Sequence, residues 1–265
     1  MNIFFRELKA HQRSLILWSM AIFFMIISSI GKFTAYAETG QSMNELLSQI
    51  PASIKAVLGM GGFDLTKISG FYGMLYLYLL LMATIHAALL GANIIAKEET
   101  EKTTEFLMVK PVSRANIITA KLLAALFNIV VFNLVTLFFS VTLMGKYIKG
   151  ENITREILIL MVGMFILQLM FLVIGTVTAA AGKRPGSAAS ITTTILVVTF
   201  IISSAININS KLAFLKFITP FAYFKAEKLL NGGGFDLVFV ILSLVIITIL
   251  VFVTYTSYGK RDLMV

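Results

Sequence analysis

Six stretches of this chain, residues 15–36, 68–96, 117–144, 157–182, 187–208 and 237–258, are apolar and long enough to cross about 30 Å of hydrocarbon as helix. Inside lipid a backbone must satisfy its own N–H and C=O groups, so runs of this kind fold as spanning helices. The sequence therefore predicts an all-α integral membrane protein, with a single transmembrane domain over residues 1–265. A composition of 58% hydrophobic and 13% charged residues excludes a soluble domain of this length.

An even number of spans puts both termini on one side. Segments 1–13, 97–121, 183–186 and 259–265 carry 12 of the 22 Lys and Arg in 49 residues, against nine in the 71 residues of the opposite loops. The positive-inside rule thus places the termini in the cytoplasm, and the net charge of +9 reads as a topology signal and an attraction to anionic lipid. Zero cysteines exclude disulfides and thiolate metal sites. The first span follows Arg6, Lys9 and Arg13 and reaches Ala35-Tyr36-Ala37, which has the form of a signal sequence. Its apolar run exceeds a signal h-region, so it is expected to be a retained span. Residues 1–15 form an expected interfacial helix, with Phe4, Leu8 and Leu15 on one side and Arg6, Lys9 and Arg13 on the other.

No carboxylate or ammonium stands at mid-span, where each would cost about 2.5–3.5 kcal/mol on insertion scales. Lys32, Lys121 and Glu156 lie near span ends and are expected to reach the interface. This argues against proton coupling. The milder polar residues His86, Asn93, Asn128, Asn133, Gln168, Thr192, Thr193 and Thr194 are expected to hydrogen-bond between helices. Enzyme motifs are missing as well: the chain has no G-x-S-x-G and no H-E-x-x-H. The Glu98-Glu99 pair resembles that of CAAX-type membrane proteases, but Lys102 stands where their Arg would follow, which disfavours an intramembrane hydrolase. A P-loop is absent, since the Gly-Lys pairs at Gly31, Gly145, Gly182 and Gly259 precede Phe, Tyr, Arg and Arg.

One segment carries a dense, ordered charge pattern, KEETEKTTEFLMVKPVSR from Lys97 to Arg114, with Lys97, Lys102, Lys110, Arg114 and Lys121 in or beside it. The second span can continue as helix through Lys97, with Glu98 four residues before Lys102 and Glu98, Glu101 and Glu105 near one face. Phe106, Leu107 and Val109 form an apolar knob. Pro111 stops the helix and Ser113 can cap the next. A short lever joined to two spans, with acidic and apolar contacts, suits a docking site for a soluble partner. Its expected coupling residues are Glu98, Glu99, Glu101, Glu105, Phe106, Leu107, Pro111, Ser113 and Arg114.

This segment resembles the first cytoplasmic loop of ABC transporter permeases of the ABC-2 exporter class, with the pattern E-E-x-x-G-T-x-E-x-L-L-x-x-P-V-S-R. Glu98, Glu99, Thr103, Glu105, Leu107, Pro111, Val112, Ser113, Arg114 and Lys121 match; Lys102 replaces the Gly and Met108 the second Leu. The resemblance extends to Leu47, Pro51, Leu58-Gly59 and Asp64, to Ile218–Phe224, which is similar to an outer re-entrant hairpin before the last span, and to the close Tyr258–Leu263. It implies a cytoplasmic coupling helix, a bacterial cell-membrane permease without cofactors of its own, and a separate cytoplasmic ATPase, two copies per complex, that holds ATP and Mg. It also implies a second permease copy or homologue, with spans 1, 2 and 5 bordering the route. The expected cargo is an amphipathic or hydrophobic peptide or drug, because uncharged walls offer nothing to strip water from an ion; sodium export is the alternative within the class. Membrane lipids are expected partners and nucleic acid is not. Finally, Gly175, Ala179 and Gly182, then Ser187, Ala188 and Ala189, make surfaces for close helix approach about the turn Lys183–Gly186, suited either to packing within the bundle, which is the default expectation, or to a seam between protomers.

Overall fold

The computed structural model describes residues 3–39, 48–103, 112–145, 153–231 and 234–260. It contains α1 (Ile3–Thr39), α2 (Ala52–Val57), α3 (Ile68–Thr100), α4 (Arg114–Gly145), α5 (Thr154–Ala181), α6 (Ala188–Ile208), α7 (Ala226–Asn231) and α8 (Leu237–Lys260). Among the described residues there is no strand. Six of these helices, α1, α3, α4, α5, α6 and α8, are long and apolar enough to cross a membrane, and each covers one of the six expected spans to within one residue. The bundle thus has a charged end, where α1 begins, α3 meets α4, α5 meets α6 and α8 stops, and a far end.

The expected interfacial helix is not a separate element. Residues 3–39 form one unbroken helix, so the N-terminal turns extend the first span; Phe4 and Leu8 pack on the bundle. Rings along α1 meet rings of its neighbours, with Phe23 at 4.9 Å from Phe139 of α4 and Phe33 at 5.4 Å from Phe71 of α3.

Two helices form the axis. In their most apolar windows 72% of the residues of α3 and 61% of those of α5 are buried, against 33% or less for the other four, so these four pack around a central pair. The pair is close because its contact residues are small. A Cβ on Gly91 would fall 2.1 Å from the Leu172 carbonyl oxygen, and one on Gly175 would fall 2.6 Å from the oxygen of Ala88. Backbone therefore lies on backbone, the arrangement by which membrane helices gain van der Waals contact without a hydrophobic driving force. Gly175 and Ala179 serve packing within the chain, as the intramolecular reading expects.

Polar side chains join neighbours around this axis. Asn133 of α4 donates to Gln168 of α5, and Gln168 donates to the Ala83 carbonyl of α3 at 3.3 Å. Tyr72 donates to Ser140 at 2.9 Å, linking α3 to α4. Thr178–Thr192 and Thr176–Thr254 hydroxyl pairs at 2.6 and 3.1 Å link α5 to α6 and α8. His86 is packed among rings, stacked on Phe132 at 4.8 Å and 5.8 Å from Trp18.

Before the last span the chain folds into 3-10 turns at Ser210–Phe217 and Pro220–Ala222, then α7. Pro220 fits the start of its turn because it needs no amide hydrogen there. Thr219–Phe224 is buried in the bundle, with Phe221 against Phe171 of α5 at 5.2 Å and Phe200 of α6 at 5.4 Å.

The axis gives a direct prediction. Gly91→Ala and Gly175→Ala should each lower stability by about 1–3 kcal/mol, because backbone must separate to admit a methyl. Gly31→Ala on α1 meets nothing within 4 Å and should be neutral or slightly stabilising. Thermal unfolding of the three variants in detergent checks the contrast.

Candidate functional site

The lower turns of α1, α3 and α4 converge at the charged end on a buried ionic cluster. Its centre is Glu98, in the last turn of α3 and only 5% exposed. One carboxylate oxygen accepts from Arg6 Nη2 at 2.6 Å, and the other accepts from Lys121 Nζ. Lys121 is fully buried and also donates to the Ile94 carbonyl. Arg6 is shared: its Nε and Nη2 donate to Glu7 Oε1 at 3.0 and 2.7 Å. Glu7, fully buried, has Lys97 Nζ and His11 Nε2 about its other oxygen at 4.0 and 3.9 Å. Three helices are thus joined by two carboxylates and the cations between them.

Chain geometry explains why Glu98 is available. Helix α3 ends where the Lys102 amide donates to the Glu99 carbonyl at 3.4 Å and the Thr103 amide to the Glu98 carbonyl at 2.7 Å. These two bonds form a Schellman cap, which requires a left-handed residue. Lys102 supplies it with φ of 55°. The Gly that the exporter pattern carries at this position would adopt that angle without a Cβ penalty. The cap and the ionic cluster share one residue, since the Glu98 carbonyl closes the helix while its carboxylate holds α1 and α4.

Several sequence expectations change here. Lys121 does not reach the interface; it turns inward because Glu98 and the Ile94 carbonyl meet it there. Glu98 does not pair with Lys102, because the helix ends at Thr100 and Lys102 is carried away, exposed, by the cap. The common acidic face is also broken, with Glu98 inward and Glu101 exposed. Glu99 is half-buried on the last turn. Glu105, Phe106, Leu107 and Pro111, and with them the expected coupling helix, lie outside the described residues.

On the other side of the segment the Ser113 cap is as expected. Ser113 caps α4, its hydroxyl accepting from the Asn116 amide at 3.2 Å. Arg114 Nη1 donates to the Gly259 carbonyl at 3.1 Å, a cation at the C-terminus of α8. The segment between α3 and α4 is therefore fastened at both ends, to α1 through Glu98 and to α8 through Arg114. Sequence reading passed over Glu7 and assigned Arg6 to the polar side of an interfacial helix, with Lys9 and Arg13. The available signal was Glu7 itself, an acidic residue among Arg6, Lys9 and Arg13.

A sequence model described as ABC-2 family transporter protein matches residues 1–263. The chain belongs to that family and is a multi-pass membrane protein of ABC-2 permease type. No curated protein gives a significant match.

Breaking the cluster should cost more than deleting it. Glu98→Gln should destabilise by about 3–5 kcal/mol, because it leaves the buried Lys121 without a counter-charge, and Lys121→Met should cost less, because Arg6 still holds Glu98; the double variant should recover much of the Glu98→Gln loss. Unfolding midpoints of the three proteins in detergent test this. In contrast, Lys102→Gly should stabilise by about 1 kcal/mol, by removing a left-handed Cβ without touching the cluster.

Proposed function

We propose that the chain is the membrane-spanning subunit of an ABC exporter, driven by a separate cytoplasmic ATPase that binds between Lys97 and Arg114. The charged end then faces the cytoplasm. Two permease copies, or this chain and a homologue, work with two ATPases. The reading is supported chiefly by the anchoring of that segment: Glu98 ties its start to α1 and α4, and Arg114 ties its end to α8. A push on such a segment reaches three spans at once, since a buried ion pair holds its geometry better than apolar contact that can slide.

The cargo in this reading is an amphipathic or hydrophobic molecule, such as a cytotoxic peptide or drug, moved outward from the cytoplasm or inner leaflet. Among the described residues the buried carboxylates and ammonium groups are Glu7, Glu98 and Lys121, all at the charged end. The interior beyond them offers aromatic and aliphatic walls with uncharged hydrogen-bonding groups. Such walls suit a cargo already partly dissolved in the membrane.

Glu101→Lys with Glu105→Lys should dissociate or uncouple the ATPase while the permease remains inserted; co-purification and cargo-stimulated ATP hydrolysis are the readouts. Undiminished values of both would refute the docking assignment. In vesicles, transport should require ATP and the partner, and should survive an uncoupler at constant ATP. Stimulation of ATPase activity by Na⁺ with inert peptides and drugs would replace this cargo class by ion export.

A further inference from the structure

At the far end, away from the ionic cluster, α3, α6, the turn 59–62 and the α7 segment enclose a cavity of about 330 Å³. Its volume is that of a small-ligand site, and its lining is divided. Leu80, Phe63, Phe200 and Phe221 give it an apolar wall. Ser203, Ser204 and Asn207 give it a polar one. With Phe200 these three follow the i, i+3, i+4, i+7 spacing of one helix face, so α6 presents an aromatic-to-polar stripe to the cavity.

Two opposite charges stand in this lining without pairing to each other. Lys225 Nζ donates to Asn207 Oδ1, and among the described residues no ion pair holds it. Burial lowers its pKa to about 8, helped by Lys228 and opposed by Glu227. An ammonium so placed is short of counter-charge. Glu227 is the exposed member, and its Oε1 lies over Gly62, where a Cβ would come within 2.6 Å. Gly62 also has φ of 78°, so glycine both makes the turn and leaves room for the carboxylate.

Depth and access narrow the occupant. Phe200 to Asn207 are the last two turns of α6, which ends at Ile208, so the polar stripe lies at the level where hydrocarbon gives way to headgroups. Only 17% of the apolar window of α6 is buried, and Ile201 on these turns and Val197 and Val198 just before them are exposed, so the adjoining leaflet reaches this helix. We infer that the cavity seats one phospholipid of that leaflet whose headgroup carries both a phosphate and a primary ammonium, as in phosphatidylethanolamine. Its phosphate pairs with Lys225 and accepts from the Ser203 hydroxyl, and from the Ser204 hydroxyl once this turns from the Phe200 carbonyl, to which it donates at 3.1 Å without lipid. Its ammonium donates to Glu227, and its glycerol and first methylenes lie on Phe200 and Leu80. A purely anionic headgroup would face Glu227 with like charge, and a choline headgroup has no N–H to give it. The inference rests on the membrane-spanning family assignment and not on the cargo proposed above. A bound lipid would brace α6 against α3 and the far-end segment.

Native mass spectrometry of the full-length protein, delipidated in detergent and titrated with phosphatidylethanolamine, phosphatidylglycerol or phosphatidylcholine of matched chains, tests it. One phosphatidylethanolamine should bind at least about fivefold more tightly than either other lipid. Lys225→Met should weaken it about tenfold, and Glu227→Gln should bring it to the level of phosphatidylcholine. Unfolding midpoints without lipid separate lost binding from lost fold, and Ser204→Ala, a smaller change, should weaken binding about two- to threefold. Equal affinities for the three lipids, or undiminished binding in well-folded Lys225→Met and Glu227→Gln, would overturn the proposal. So would a dimer that retains no lipid where the monomer does, which would give the cavity to a permease–permease contact.

Discussion

Glu98 carries the constraint on which the charged end depends. A carboxylate taken out of water is tolerable only with close partners, and here Arg6 and Lys121 meet its two oxygens from helices far apart in sequence. This fixes the register of α1 and α4 against the end of α3. It also means that the segment leaving α3 starts from a residue that cannot move alone. The Schellman cap reinforces this, because the same residue's carbonyl closes the helix.

The remainder of the bundle is arranged to keep such a constraint effective. The α3–α5 axis is direct backbone contact at Gly91 and Gly175, with little freedom to slide. Hydrogen bonds through Gln168, Tyr72 and Thr178 then spread the connection to α4 and α6. Stiffness at the axis and ionic fastening at one end are what the proposed passage of motion from a soluble partner to the spans requires. At the far end the aromatic segment Thr219–Phe224 wedges α5 and α6, and the cavity beside it is where packing is left incomplete.

Spans were legible because lipid imposes one length and one chemistry on them, so the six apolar runs mark the helices to within a few residues except at the start of α1. Ser113 was legible as a cap because its partner lies three residues away. The polar intramembrane residues Gln168 and Thr192 were correctly read as helix-to-helix donors or acceptors from chemistry alone. Lys121 was misread because its partners stand 23 and 27 residues away, and helical periodicity does not tell which faces meet. Arg6 lies 92 residues from Glu98, so an amphipathic N-terminus appeared to face the interface. Lys102 was visible only as a departure from the exporter pattern; its positive φ supplies the reason that glycine belongs there.

The most direct test of the account is a double-mutant cycle between Glu98 and Lys121, read as cargo transported per ATP hydrolysed by the reconstituted complex. If the pair couples the loop to the spans, Glu98→Gln and Lys121→Met should each lower that ratio while the ATPase remains bound. The two effects should be strongly non-additive, with a coupling energy of about 0.5–3 kcal/mol. Single variants that fold, bind the ATPase and transport at the wild-type ratio would contradict the central claim and leave the cluster a purely structural feature.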